Sequence, residues 1–184
     1  MQLTTRTFST GEQLHIFDNV FEPHEHHQNR TFVERSFYKI IFGASGFIHH
    51  GLNLLGSVYS EEDLEKFGVF NNQNFRHIAE NYCGGYSRTS QWVTLTTYFS
   101  KSHFHPDNKG KTIIYYLSTE WDINHGGETL FCNSGGEVEL AVSSKPNRVV
   151  VYDNYLLHKA AQISPGAPEY RFTLVCQFNG DHNG

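Results

Sequence analysis

The chain has 184 residues and a formal net charge of −5, with 14 Lys and Arg against 19 Asp and Glu. This length suits one domain with a full hydrophobic core, and the scattered cations disfavour a nucleic-acid surface. Aromatic residues make up 15% of the chain, which favours a β-rich domain over a helix bundle. No stretch of sequence is long and apolar enough to predict a membrane span.

Cys83, Cys132 and Cys176 are the only cysteines. Three thiols without a CxxC spacing predict neither a disulfide framework nor a zinc knuckle. The N-terminal residues carry no apolar run that would indicate a secretory signal. We therefore expect a cytoplasmic protein with reduced and mostly buried thiols.

Residues 1–90 predict strands and supporting helices. A strand is expected over 14–21, and Ser60 with Asp63 resembles the capping box that begins a helix. A second helix is indicated by apolar residues that share one helical face, namely Phe75, Ile78, Ala79 and Tyr82.

The stretch "FEPHEHHQNR" carries His24, His26 and His27 and so resembles a metal cluster. It has no matching partner segment nearby in the sequence. We interpret it as the start of a solvated helix rather than as a second metal site.

From residue 91 the pattern changes to short strands separated by turn residues. This spacing predicts a double-stranded β-helix, the jelly-roll or cupin-like core. The fold class is therefore mainly β with N-terminal helices (α+β), in a single domain over 1–184 with its jelly-roll core at 91–179. The eight predicted strands span 91–100, 102–107, 111–119, 127–132, 136–143, 147–153, 156–163 and 170–178.

The last predicted strand has two unlike faces. The apolar face, which should pack against the helices, carries Tyr170, Phe172, Leu174, Cys176 and Phe178. The other face carries Arg171, Thr173, Val175 and Gln177 and points either to water or into the barrel. An Arg inside the barrel requires an anionic partner, because an unpaired buried charge is costly.

The stretch "SKSHFHPDNKGK" places His103, His105 and Asp107 at alternate positions, which share a face in an extended strand. Pro106 limits regular pairing and so indicates a strand end or an edge. The best remote third ligand is His158. Two His and one carboxylate leave coordination positions open, a set that favours Fe(II) used with oxygen.

Arg171 follows His158 by 13 positions and shares a strand face with Thr173. A guanidinium group matches a carboxylate with two parallel hydrogen bonds, and the Thr hydroxyl can add another. The pair predicts a clamp for a dicarboxylate whose other end chelates the metal. Lys111 and Arg148 are the alternative cations, and Thr129, which follows the turn glycines Gly126 and Gly127, is a further candidate to face the pocket.

Three segments between Trp92 and Phe178 carry a resemblance to a known family: "HPD", "KTIIYYLSTEWDINHGGETLF" and "NYLLHKAAQISPGAPEYRFTLV". They resemble the Fe(II)- and 2-oxoglutarate-dependent dioxygenases, in particular the prolyl 4-hydroxylase-like branch. The His-to-Arg spacing is longer than usual in that family, because "ISPGAPEY" carries a small insertion. Gln177 stands where AlkB-type nucleic-acid demethylases have a second Arg, which disfavours that branch.

The resemblance implies a role for each candidate residue and a set of cofactors. Iron would be bound by His105, Asp107 and His158. Arg171 would bind the far carboxylate of 2-oxoglutarate, and the same pocket would be lined by Thr173, Tyr98 and Tyr116. The implied cofactors and co-substrates are Fe(II), 2-oxoglutarate and O2, with ascorbate as a supporting reductant.

The implied reaction is hydroxylation coupled to oxidative decarboxylation of 2-oxoglutarate to succinate and CO2. The expected substrate is a prolyl residue in a peptide or protein, with no nucleic-acid or membrane partner. The alternatives are a 2-oxoglutarate oxygenase acting on a small molecule such as a free amino acid, and a cupin-like metal-binding protein that uses His103 and His105. A catalytically silent binding module is the last alternative.

Overall fold

The computed structural model describes residues 1–36, 39–40, 55–84, 88–100, 102–107 and 110–178. The helices are α1 (Pro23–Glu34), α2 (Glu61–Phe67) and α3 (Gln73–Tyr82). The strands are β1 (Gln2–Thr7), β2 (Gln13–Asp18), β3 (Lys39–Ile40), β4 (Leu55–Val58), β5 (Arg88–Thr96), β6 (Lys111–Tyr116), β7 (Thr129–Cys132), β8 (Val138–Val142), β9 (Arg148–Asp153), β10 (His158–Ala160) and β11 (Arg171–Phe178).

Two antiparallel sheets form the core. The large sheet has the strand order β1-β2-β9-β6-β11-β5-β4-β3, and the small sheet has the order β10-β7-β8. Strands from the first 90 residues therefore extend both edges of the sheet to which β6 and β11 belong. This arrangement confirms the predicted jelly-roll fold class.

The helices cover the outer face of the large sheet. Phe172 and Leu174 of β11 belong to one buried cluster with Phe75 and Ile78 of α3. The apolar face of the last strand thus packs on the helices, as its alternation predicts. Tyr170 is an exception, because it precedes β11 and is 48% exposed.

The inner face of the large sheet meets the small sheet. A second cluster joins Tyr116 and Tyr152 of the large sheet to Phe131 and Val142 of the small one. Arg171 belongs to this side and is 3% exposed. The polar face of β11 therefore points into the barrel and not to water.

Helix α2 begins at its predicted capping box, and α3 also begins with a side-chain cap. The Ser60 hydroxyl accepts the Asp63 N–H at the beginning of α2, and the Asn72 side chain accepts two N–H groups at the beginning of α3. Each accepted hydrogen bond satisfies a donor that has no partner within its helix. Among the described residues, no helix has the length and apolar character needed to cross a membrane.

Helix α1 differs from the solvated helix that its sequence predicts. Its side chains at His26, Asn29, Arg30 and Val33 are buried. His26 lies between the Tyr115 hydroxyl at 2.6 Å and the Ser118 carbonyl at 2.9 Å. Because the carbonyl only accepts, Nε2 of His26 donates to it and Nδ1 accepts from Tyr115. Polar residues therefore form part of the contact between α1 and the sheet.

The prediction of a strand over 102–107 is wrong. This segment forms only an isolated bridge between His105 and His158, because Pro106 has no N–H to offer a ladder. The strand predicted over 91–100 also ends early, at Thr96. Ser100 closes a turn there, since its N–H donates to the Thr97 carbonyl and its side-chain oxygen accepts the Thr97 N–H.

Gly126 and Gly127 form the turn that leads to β7, with φ of 69° and 72°. A Cβ at Gly126 would lie 2.7 Å from the Gln162 carbonyl oxygen, and one at Gly127 would lie 3.3 Å from Cδ of Arg171. Both the backbone conformation and the close packing therefore require glycine. The turn brings the chain directly against the stem of Arg171.

All three cysteines are buried and free. Burial raises the pKa of the Cys83 thiol to about 12, and it also raises the pKa of Cys176. Buried thiols of this kind stay protonated and unreactive.

Candidate active site

Backbone hydrogen bonds fix the H-x-D segment opposite β10. His105 and His158 exchange both N–H···O bonds, each at 3.1 Å, and the Asp107 N–H donates to the Asn154 carbonyl at 2.7 Å. Two residues that are distant in sequence are thereby held as a directly opposed antiparallel pair. These main-chain hydrogen bonds therefore set the distances between the side chains of His105, Asp107 and His158.

The side chains of His105, Asp107 and His158 converge. One ligand atom from each lies within 4.8 Å of the others, and within the described residues this is the one group of its kind. Nε2 of His158 is 3.7 Å from Oδ2 of Asp107. The three predicted ligands therefore stand together with the spacing that a bound metal ion would require.

The two histidines present the same ring nitrogen to the cluster. Nδ1 of His105 donates to the His103 carbonyl at 2.9 Å, and Nδ1 of His158 donates to the Leu156 carbonyl at 3.0 Å. Each Nε2 is then the unprotonated nitrogen that a metal binds. Burial lowers the pKa of His158, although Asp107 opposes this. Two imidazoles that present Nε2 and one carboxylate form a ligand set that suits a divalent metal ion such as Fe(II).

The other histidine candidates lie elsewhere. The ring of His103 is exposed, and its contribution to the site is its main-chain carbonyl. His24 and His27 are exposed on α1, whereas His26 is buried against Tyr115. The structure brings neither His103 nor this α1 cluster into a metal-binding group among the described residues.

A group of hydrogen-bonding side chains that the sequence analysis missed surrounds Asp107. Its Oδ2 lies 2.7 Å from the Thr112 hydroxyl and 3.1 Å from the Tyr152 hydroxyl. Thr112 also contacts the side-chain amide of Asn154 at 2.6 Å. Thr112 and Tyr152 are directly opposed in the β6–β9 ladder. The sequence signal that could have indicated Thr112 and Tyr152 was a hydroxyl-bearing side chain at an inward-facing position of an otherwise apolar strand.

Arg171 lies on the same inner face, in a pocket of neutral polar groups. Its Nε donates to the Ser144 hydroxyl at 2.9 Å and its Nη2 to the Thr129 hydroxyl at 2.8 Å. Thr129 in turn contacts the Tyr116 hydroxyl at 2.6 Å. Thr129 therefore faces the pocket, and Ser144 is a pocket residue that the sequence analysis missed.

The charge of Arg171 has no carboxylate partner within 4.0 Å among the residues that the structure describes. Burial lowers the pKa of Arg171, but a guanidinium stays protonated in proteins. A fully buried cation is costly when its hydrogen bonds go to neutral hydroxyl groups, even with the Tyr116 ring 5.2 Å from the guanidinium and Glu128 acting at longer range. The pocket therefore suits an anionic ligand.

The remaining candidates occupy different positions. The Thr173 hydroxyl lies 2.6 Å from that of Thr94, and Thr173 is opposite Tyr116 on the inner face. Tyr98 lies beyond the end of β5, where its carbonyl accepts a hydrogen bond from Gln162 and its ring packs on Phe99. The two alternative cations are paired elsewhere: Lys111 with Asp153 and Arg148 with Asp18.

The chain matches no protein-family model and no curated protein sequence. Solved structures with similar folds include a prolyl hydroxylase from Trichoplax adhaerens, in complex with a peptide fragment of the oxygen degradation domain of hypoxia inducible factor. It superposes with a TM-score of 0.67 at 14% identity, over 91% of this chain and 83% of that one.

Two further solved structures of similar fold are described as enzymes whose activities differ from one another. A Pseudomonas putida prolyl-4-hydroxylase gives a TM-score of 0.62 at 13% identity, over 91% of this chain and 92% of that one. The α-ketoglutarate-dependent epimerase SnoN of nogalamycin biosynthesis gives 0.63 at 12% identity, over 91% and 77% of the two chains. This chain therefore has the fold of the Fe(II)- and 2-oxoglutarate-dependent oxygenases, prolyl hydroxylases among them.

Proposed function

We propose that the chain is an Fe(II)- and 2-oxoglutarate-dependent oxygenase. The observation that carries the proposal is one barrel interior that holds both a two-histidine, one-carboxylate group and a buried guanidinium, for which the described residues offer no carboxylate partner. On β6, Thr112 contacts Asp107 of the ligand group, and Tyr116 contacts Thr129 beside Arg171. These two residues are four positions apart in the strand, so their Cα atoms are separated by about 13 Å. Separated groups of this kind suit a ligand with a chelating end and a free carboxylate.

Each residue of the site has one task in this proposal. His105, Asp107 and His158 hold Fe(II), which supplies the activation of oxygen that protein groups cannot provide. Arg171 binds the distal carboxylate of 2-oxoglutarate with two hydrogen bonds. The remaining pocket positions are assigned to Tyr116, Thr129, Thr173 and Tyr98. The co-substrate leaves as succinate and CO2, and the substrate gains a hydroxyl.

The favoured substrate is a prolyl residue in a peptide. The support for it is the Trichoplax enzyme of similar fold, whose structure contains a peptide fragment, together with the sequence likeness around "KTIIYYLSTEWD". The second candidate is a small molecule such as a free amino acid, and its support is the fold likeness to an epimerase from nogalamycin biosynthesis. We assign the reaction to the cytoplasm, in keeping with the buried free thiols.

The test is co-substrate turnover across two substrate panels. Protein supplied with Fe(II), 2-oxoglutarate and ascorbate is incubated with proline-containing peptides or with metabolites. We expect substrate-dependent succinate and a mass gain of one oxygen atom in a member of one panel. The panel that responds decides between peptide and small-molecule substrates.

Binding is tested independently of turnover. Anaerobic addition of Fe(II) and 2-oxoglutarate should produce a visible charge-transfer band, which His158→Ala should abolish. His24→Ala is the matched control, since His24 is exposed on α1, and it should leave the band unchanged. A wild-type protein that binds Fe(II) but gives no band with 2-oxoglutarate contradicts the proposal and favours a cupin-like metal protein.

A further inference from the structure

Tyr152 places its hydroxyl against two of the three ligand side chains. The oxygen lies 3.0 Å from Nε2 of His158 and 3.1 Å from Oδ2 of Asp107. The side chain is 1% exposed, and its ring is packed by the rings of Phe131 and His158, with centroids 4.9 and 4.8 Å away. The phenol therefore has a fixed position next to the place where the ion would bind.

The single hydroxyl proton of Tyr152 can serve only one of these two acceptors. When an ion occupies the lone pair of Nε2 of His158, that nitrogen no longer accepts a hydrogen bond. The proton must then go to Oδ2 of Asp107. Tyr152 is thus a hydrogen-bond donor to the carboxylate in the metal-bound protein.

Thr112 donates to the same oxygen. Its hydroxyl has one proton and contacts both Asp107 and the side-chain amide of Asn154, and the Tyr152 hydroxyl is a further neighbour. With the amide oxygen toward Thr112, Nδ2 of Asn154 is buried without a hydrogen-bond partner among the described residues. Exchange of the amide oxygen and nitrogen lets Asn154 donate to Thr112, so the single hydroxyl proton of Thr112 is then free to go to Asp107.

We propose that Tyr152 is a positioning residue that, with Thr112, holds Asp107 as a ligand through one oxygen. Two donors on Oδ2 use both of its lone pairs, so Oδ1 is the oxygen left for the ion. If Asp107 bound through both oxygens, it would take a coordination position that the keto acid and O2 need. This inference rests on the proposed function, since it concerns the same iron site.

The test uses Tyr152→Phe loaded with Co(II), which reports its coordination through visible absorption. We expect a changed Co(II) spectrum, and about a 10-fold or greater loss in affinity for Co(II) or for 2-oxoglutarate on the Co(II) protein. Thr112→Val should change the spectrum in the same way, and Thr112→Ser should restore it. A wild-type spectrum with wild-type affinities in Tyr152→Phe overturns the inference.

Tyr115→Phe is the matched control, since it also removes a buried phenol hydroxyl, but one that contacts His26 on the outer face. It should change stability and leave the Co(II) spectrum unaltered. If it changes the spectrum as much as Tyr152→Phe does, the effect is merely structural and the inference is wrong.

Two further measurements distinguish the positioning role of Tyr152 from direct ligation of the metal by Tyr152 and from a failure of the proposed iron site itself. An Fe(III)-phenolate absorption band in the wild type that is lost in Tyr152→Phe would make Tyr152 a ligand and overturn its positioning role. His158→Ala tests the site itself and should lose Co(II) binding. Retention of wild-type Co(II) affinity in His158→Ala refutes the iron site of the proposed function, whereas a silent Tyr152→Phe alone refutes only the positioning role.

Discussion

The two faces of the large sheet are built by alternate residues of the same strands, yet one face stabilises the fold and the other carries the candidate site. On β11, Phe172 and Leu174 pack under the helices, while Arg171 and Thr173 point into the barrel. The outer face is mainly apolar and stabilises the fold through buried area. The inner face carries buried polar groups that cost stability. Adjacent residues therefore have opposite expected effects when they are changed.

The largest effect is expected at Arg171. Arg171→Met should weaken 2-oxoglutarate binding by about 30-fold or more, because removal of one partner of a buried charge pair costs about 2–5 kcal/mol. The free energy of unfolding without ligand should stay equal or rise, since the change removes a buried cation that has no carboxylate partner in the part of the chain that the structure describes. Co-substrate titration and urea denaturation measure the two quantities. A large loss of stability without any loss of binding would contradict the assignment.

The opposite result is expected on the outer face. Leu174→Ala should lower the free energy of unfolding by about 2–5 kcal/mol, because it removes a fully buried side chain from a packed core. The folded fraction should bind 2-oxoglutarate as the wild type does. Leu3→Ala is the control, since Leu3 is 44% exposed, and a surface change of this kind costs within about 0.5 kcal/mol. Equal losses from both variants would show that burial does not distinguish the two sites.

The consecutive tyrosines of β6 sharpen the comparison at the level of one hydroxyl. Tyr116→Phe removes the contact to Thr129, which holds Arg171, and should raise the KM for 2-oxoglutarate several-fold. Tyr115→Phe leaves His26 without its donor and should cost about 1–3 kcal/mol of stability. Steady-state kinetics and denaturation of both variants check this. The same KM in both variants would contradict the assignment of Tyr116 to the pocket.

The smallest effect is a pH dependence on the outer face. Burial lowers the pKa of His26, so the folded state favours the neutral ring. Stability from this group is complete above the unfolded pKa of about 6.5 and falls as the pH drops below it, since the unfolded chain then binds more protons. His26→Gln should flatten the pH dependence of the unfolding free energy between about pH 5 and 7. An unchanged slope would mean that other groups set it.

Features governed by local patterns were predictable from the sequence. The alternation of β11 indicated which side chains enter the barrel, and the capping residues Ser60 and Asp63 indicated where α2 begins. The ligand pattern indicated His158 as the remote partner of the H-x-D segment, the resemblance implied the same three residues, and the fold confirms that likeness. The roles of the individual site residues remain predictions.

Features that depend on distant contacts were missed. Tyr152, Ser144 and Asn154 reach the site only through the pairing of strands and loops that are far apart in sequence. The edge strand β1 was missed because "QLTTRT" is exposed along most of its length and has no apolar alternation. The burial of His26 depends on a partner 89 residues away. No short-range pattern contains such information.

The carbonyl groups that orient the two metal-binding histidines belong to His103 and Leu156. Every amino acid supplies the same carbonyl, so the tautomers of His105 and His158 do not depend on the side chains at those two positions. Sequence drift at residues 103 and 156 is therefore limited by packing alone and not by the chemistry of the ligands. The ring of His103, exposed to solvent, can be exchanged in evolution while the main-chain atom beneath it keeps its role.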